Sequence, residues 1–143
     1  METKPAILVV EDDLDYRKFL VEVLTAAGYG VTEAADAASG CAAAEAALPR
    51  AVVCDLGLPD GSGVLVWERC RGDARLREAA FIFLTGVGAL KAAQVVPKDG
   101  RTRTLHKPVV LADLERALGE LLGTRKALPT GVPQPSPLPH PEL

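Results

Sequence analysis

Ala51-Val52-Val53-Cys54-Asp55-Leu56-Gly57-Leu58-Pro59-Asp60-Gly61-Ser62-Gly63 decides how this chain folds. The run from Ala51 to Cys54 is apolar at every position, the pattern of a strand buried on both faces, as in a parallel sheet covered by helices. It delivers Asp55 at its carboxyl end, and Gly57 to Gly63 is turn chemistry throughout.

Outward from this stretch, strands and helices alternate. Upstream, Ala6 to Val10 is another short, β-branched apolar run. Leu14 to Ala27 has helical spacing, with Leu20, Val23, Leu24 and Ala27 on one side and Gly28 as its stop. Gly30 to Ala34 is a weaker strand candidate. Asp36 is placed to cap an alanine-rich helix, Ala37 to Leu48, closed by Pro49. Downstream, Val64 to Arg71 reads as a helix and Ala80 to Leu84 as a strand ending at Thr85. Ala89 to Val96 reads as a short helix stopped by Pro97 and Gly100, Thr102 to His106 as a last strand, and Val110 to Leu122 as an amphipathic helix. Such alternation predicts an α/β fold, a five-stranded parallel sheet doubly wound by helices. Its site lies outside the carboxyl ends of the strands.

The polar residues at those ends come from distant parts of the chain: Glu11, Asp12 and Asp13 after the first strand, Asp55 after the third, Thr85 after the fourth and Lys107 after the fifth. Gathered in one crevice, the acids repel each other, by on the order of 4 kcal/mol for a unit-charge pair at about 4 Å and an effective dielectric near 20. They therefore protonate or bind a cation. A hard divalent ion such as Mg2+ suits one or two carboxylates completed by waters and phosphate oxygens. A carboxylate can also act as a nucleophile and form an acyl phosphate. The transferred group then needs its equatorial oxygens stabilised by a metal, a hydroxyl and a cation. Glu11 and Asp12, Thr85 and Lys107 supply that set.

Five stretches in order make the likeness specific: Ile7-Leu8-Val9-Val10-Glu11-Asp12-Asp13, Val52-Val53-Cys54-Asp55-Leu56-Gly57-Leu58-Pro59, Gly63, Leu84-Thr85-Gly86 and Lys107-Pro108. From about Ala6 to Leu122 the chain resembles the receiver domain of bacterial two-component response regulators, the CheY-like superfamily. The resemblance implies the flavodoxin-like strand order 2-1-3-4-5, which chemotaxis receivers share. It implies that Asp55 accepts phosphate from the phosphohistidine of a sensor histidine kinase or phosphotransfer protein. Asp12 and Asp55 would ligate Mg2+, together with the backbone carbonyl of Gly57, and Glu11 would do so through water. Thr85 would hydrogen-bond the phosphoryl group, Lys107 would pair with it, and the Lys107–Pro108 bond would be cis. The chain departs from the family at Thr104, where an aromatic residue usually stands, at Val109 after Lys-Pro, and along Val95 to Arg101. These departures touch signal output more than phosphorylation.

Several residues have plainer readings. Asp13 is expected only to cap the helix that follows it. Cys54 is expected to be a small core residue, Trp67 to pack within its helix, Arg69 and Arg71 to lie on a solvated face, and His106 to be packed or half-exposed. His140 falls in the tail and is expected to be inert.

Composition narrows the rest. The 143 residues, 48% hydrophobic and 24% charged with net charge −3, suit one soluble domain and argue against a basic nucleic-acid surface. Three cysteines without a C-x-x-C pair argue against a disulfide scaffold or a zinc site. With neither a signal sequence nor a membrane span, a cytoplasmic protein with no membrane partner is expected. The expected domain is 1–123. Residues 124–143, rich in proline, are expected to be a disordered or polyproline-like tail.

The expected function is a stand-alone receiver. It is not a conventional enzyme, catalyses only its own phosphorylation and dephosphorylation, and acts on a downstream protein target. The alternative is a receiver-like binding module that signals without phosphate. A phosphohydrolase of the dehalogenase type is disfavoured because Gly57 stands where a second Asp is needed. A flavodoxin is disfavoured because Glu11 and Asp12 stand where phosphate-binding amides and hydroxyls belong.

Overall fold

The computed structural model describes residues 4–86 and 94–136. In chain order they form β1 (Ala6–Val10), α1 (Leu14–Ala26), β2 (Gly30–Ala34), α2 (Ala37–Ala47), β3 (Ala51–Asp55), the two-residue strands β4 (Gly57–Leu58) and β5 (Gly61–Ser62), α3 (Val64–Arg71), β6 (Ala80–Thr85), β7 (Thr102–His106) and α4 (Leu111–Leu122). The five long strands make one parallel sheet in the order β2-β1-β3-β6-β7. Counting only those strands, this is the expected 2-1-3-4-5. The fold is flavodoxin-like, and the order reverses between β1 and β3, where Val10 stands opposite Cys54. That reversal opens a crevice at the carboxyl edge.

Strand alternation divides the sheet's side chains between two cores. Ile7, Val9, Val53, Ile82 and Leu84 face α1 and α4, where Phe19, Leu20, Val23, Leu114 and Leu118 meet them. Leu8, Val10, Val52, Cys54, Phe81 and Phe83 face α2 and α3, against Ala44, Val66 and Cys70. All five residues of β3 and all six of β6 are buried, whereas β2 at the edge is half exposed. This explains why β3 is plain in the sequence and β2 is not. Cys54 is a core residue, as expected.

Helix ends follow local chemistry. Asp13 caps α1 by accepting from the N–H groups of Asp15 and Tyr16, and Gly28 takes φ 102° just past its end. Asp36 and Ser39 form a capping box on α2. Two oxygens of Asp60, in the turn between β4 and β5, also accept from the N–H groups of Ala37 and Ala38 at 2.8 and 3.0 Å. This second cap ties the loop after β3 to α2, and no local sequence signal announces it.

Three expectations shift. Val110 is the N-cap of α4 rather than its first residue. Arg71 is not on a solvated face: its side chain is 14% exposed, pairs with Asp99 at 3.0 Å and lies over the Trp67 ring. Arg69, 58% exposed and paired with Glu45, is solvated as expected. Most of the expected helix Ala89 to Val96 lies outside the described residues, as does His140; Gln94 and Val95 are helical.

The third shift concerns the chain after Leu122. The prolines do exclude regular structure, and residues 124–136 form neither helix nor strand. They are not free, however: Leu128 is buried and Val132 packs with it against the α1–α4 core. Composition rules out a hydrogen-bonded ladder but does not prevent single apolar side chains from finding seats on a neighbouring surface.

Candidate functional site

Four of the five strand ends, those of β1, β3, β6 and β7, contribute groups to the crevice. Glu11 follows β1, where its N–H donates to the Ala34 carbonyl at 3.0 Å and holds the chain against β2 for one more residue. Its side chain is fully buried. One carboxylate oxygen accepts from the Asp13 N–H at 3.2 Å and the other contacts the Lys107 ammonium. Asp55 closes β3 and is 2% exposed. Its Oδ1 accepts from the Gly57 N–H at 3.1 Å, and its Oδ2 accepts from Lys107 Nζ at 2.9 Å. Thr85 ends β6, one residue beyond Leu84, the partner of Asp55 across the ladder. It is buried, and its carbonyl accepts from the Lys107 N–H at 2.9 Å. The Lys107–Pro108 bond is cis.

Glu11, Asp12 and Asp55 can each offer one oxygen such that all three lie within 4.8 Å of one another. One buried ammonium, Lys107, cannot neutralise three carboxylates. Burial, with the Asp55 charge next, therefore pushes the Glu11 carboxyl up to about 8, against the opposing pull of Lys107. Burial alone would lower the Lys107 ammonium, but Asp55 and then Glu11 outweigh it and hold its pKa above the ordinary value. Three close, hard oxygen donors with surplus negative charge fit a divalent cation of the Mg2+ type. Gly57 adjoins that cluster through the hydrogen bond from its N–H to Asp55.

Residues 7–119 match the response regulator receiver domain. The chain belongs to that family. The receiver is 35% identical over 125 residues to the photosynthetic apparatus regulatory protein RegA of Rhodovulum sulfidophilum, an alignment covering 87% of this chain and 66% of RegA. It thus spans just under two thirds of that relative's length. Over 119 residues it is 32% identical to the response regulator receiver protein CpdR of Brucella abortus (strain 2308), covering 81% of this chain and 95% of CpdR. Among solved structures it resembles the receiver domain of sensor histidine kinase PA1611 from Pseudomonas aeruginosa PAO1, with TM-score 0.77 and 27% identity over 85% of this chain and all of the other. That structure holds a magnesium ion in its active-site cleft.

The strand-end residues expected from sequence all lie at the carboxyl edge of this receiver's sheet. The structure adds others that the sequence did not single out. Arg17 donates to the Glu11 carbonyl at 2.7 Å and pairs with Glu33, fixing the turn that presents Glu11. Tyr16, fully buried, lies with its ring 4.7 Å from Lys107 Nζ, and its hydroxyl accepts from the Val109 N–H at 3.0 Å. Helical spacing marks Tyr16 as the first inward position of α1 but says nothing about the lysine above it. His106 ends β7 as an exposed residue, whereas a packed or half-exposed side chain was expected. Among the described residues, no helix is long and apolar enough to cross a membrane.

Proposed function

We propose that this receiver accepts a phosphoryl group on Asp55 from the phosphohistidine of a sensor histidine kinase or phosphotransfer protein and acts as a conformational switch on a downstream protein. The observation that carries this reading is Lys107 Nζ held 2.9 Å from Asp55 Oδ2 inside a cluster of acids in which Glu11 and Asp55 are buried. An Asp55 oxygen attacks phosphorus as the bond from phosphorus to the donor imidazole breaks, leaving an aspartyl phosphate. Asp12, Asp55 and the Gly57 carbonyl would hold Mg2+, with Glu11 reaching it through water. When bound, the ion neutralises charge on the phosphoryl oxygens. The Lys107 ammonium pairs with one such oxygen, and the Thr85 hydroxyl donates to another. Self-catalysed phosphorylation and dephosphorylation are the only reactions in this proposal. It includes neither nucleic-acid binding nor a membrane partner.

The test is intact mass after incubation with acetyl phosphate. Wild type should gain one phosphoryl group with Mg2+ and none with a chelator, and Asp55→Asn should gain none. A wild type that stays unmodified at every Mg2+ concentration overturns the reading. Thr104, half-buried on β7 where the family usually carries an aromatic residue, favours a second reading: a docking module indifferent to phosphate. In that case Asp55→Asn would bind the downstream partner as wild type does.

A further inference from the structure

Residues 124–136 cross the α1–α4 side of the receiver as a strap with anchors along its length. Thr124 Oγ1 is 2.8 Å from the Tyr29 hydroxyl. The Leu128 side chain is 6% exposed, and its N–H donates to Glu115 on α4 at 2.9 Å. The last anchor is Gln134, whose amide copies a strand partner. Its Nε2 donates to the Val109 carbonyl at 3.0 Å, and its Oε1 accepts from the Val109 N–H at 2.8 Å. The same Oε1 accepts from the Tyr16 hydroxyl. One side chain from the strap thus meets both polar backbone groups of buried Val109, sharing the N–H with the Tyr16 hydroxyl and pairing the carbonyl, which would be costly to leave unpaired.

Gln134 therefore touches the two neighbours of Lys107, the cation beside the phosphoacceptor Asp55. Val109 follows Lys107 after one proline, and Tyr16 lies beneath the Lys107 ammonium. We propose that the strap is the receiver's own read-out element: Tyr16 and Gln134 are positioning residues for Lys107, and phosphorylation of Asp55 loosens the strap. The proposal rests on the reading of Asp55 as phosphoacceptor. In the unphosphorylated receiver Lys107 is shared among Asp55, Glu11 and the face of Tyr16. A phosphoryl group on Asp55 draws the ammonium toward its own oxygens and off the ring. The ring then loses a cation–π contact that holds its hydroxyl toward Val109 and Gln134. A modification shifts a two-state element only by its differential stabilisation of one state. A contact of this kind sets the shift at roughly ten-fold. The route bypasses Thr104, where the usual aromatic side chain is missing.

Hydrogen exchange read by mass spectrometry on the full chain, with and without acetyl phosphate and Mg2+, tests this. Intact mass on the same samples reports the adduct. The amides of 124–136 should open on the order of ten-fold more often in the phosphorylated protein, while those of β1 and β3 stay unchanged. An adduct on Asp55 with unchanged strap exchange overturns the strap proposal and leaves the phosphoacceptor reading standing. No adduct at all overturns both. A second variant works from the other end. Leu128→Ala weakens strap docking without touching the acids, and by linkage it should tighten equilibrium binding of beryllofluoride with Mg2+, an acyl-phosphate mimic. Gln134→Ala should do the same. Unchanged affinity in both variants overturns the proposal.

Discussion

Glu11→Gln should remove most of the pH dependence of the metal-free receiver's stability. Glu11 is fully buried, and its carboxyl is raised from 4.5 to about 8 by burial and by Asp55. The folded chain therefore holds this proton more tightly than the unfolded chain does. The group's stabilising contribution is complete below about 4.5 and is lost as pH rises through about 8. Within that window the native state carries up to one extra proton, so stability falls by as much as about 1.4 kcal/mol per pH unit. Across the whole window the loss is on the order of 5 kcal/mol, a large share of the roughly 5–15 kcal/mol that holds a domain together. Gln preserves the shape and can still accept from Lys107, but it cannot ionise. Urea unfolding in the presence of a chelator, from about pH 5 to about pH 8, should show wild type falling steadily behind the variant. Saturating Mg2+ should close the gap by offsetting the carboxylate charge. Parallel profiles for the two proteins, or a wild type that gains on the variant as pH rises, would refute the reasoning.

Two further substitutions probe how the site is held. A Cβ at Gly63 would collide with the carbonyl oxygen of Asp55 and stand 2.9 Å from Cys54 Sγ. Both lie in the close-packed end of β3, so Gly63→Ala should cost roughly 3 kcal/mol or more in urea unfolding. A variant as stable as wild type would contradict that packing. Asp60 is held below its ordinary pKa by the N–H groups of Ala37 and Ala38, so its contribution is present above the unfolded carboxylate pKa and lost as pH falls through the folded one. Asp60→Ala should lower the unfolding midpoint at neutral pH, and the difference from wild type should shrink in acid. A constant difference would show that the carboxylate's charge is irrelevant.

The core fold and the site are legible in sequence because the deciding signals are local. Runs buried on both faces mark β1, β3 and β6; β3 and β6 end in a polar residue that the crevice uses, and β1 runs directly into one, Glu11. Edge strand β2 is harder to read because half-exposed Gly30 to Glu33 carry little apolar pattern. What sequence could not supply are pairings over long separations. Tyr16 and Val109 meet across 93 residues, Asp60 caps a helix 22 or 23 residues earlier, and Gln134 reaches Tyr16 across 118 residues. Arg71 looks like any other exposed arginine until Asp99 and Trp67 fold around it. The proline-rich segment misleads for a related reason. Its composition predicts the absence of helix and strand, which holds for 124–136, but the seat that buries Leu128 is made by other elements.

The most direct test of the account is to locate the phosphoryl group chemically. Wild type treated with acetyl phosphate and Mg2+ is reduced with borohydride, which converts an aspartyl phosphate to a primary alcohol, and is then mapped by peptide mass spectrometry. The account predicts homoserine at position 55 alone, abolished by chelation and absent in Asp55→Asn. Modification at Glu11, Asp12 or Asp13 instead, or no reduced residue in a protein that binds Mg2+, would contradict it.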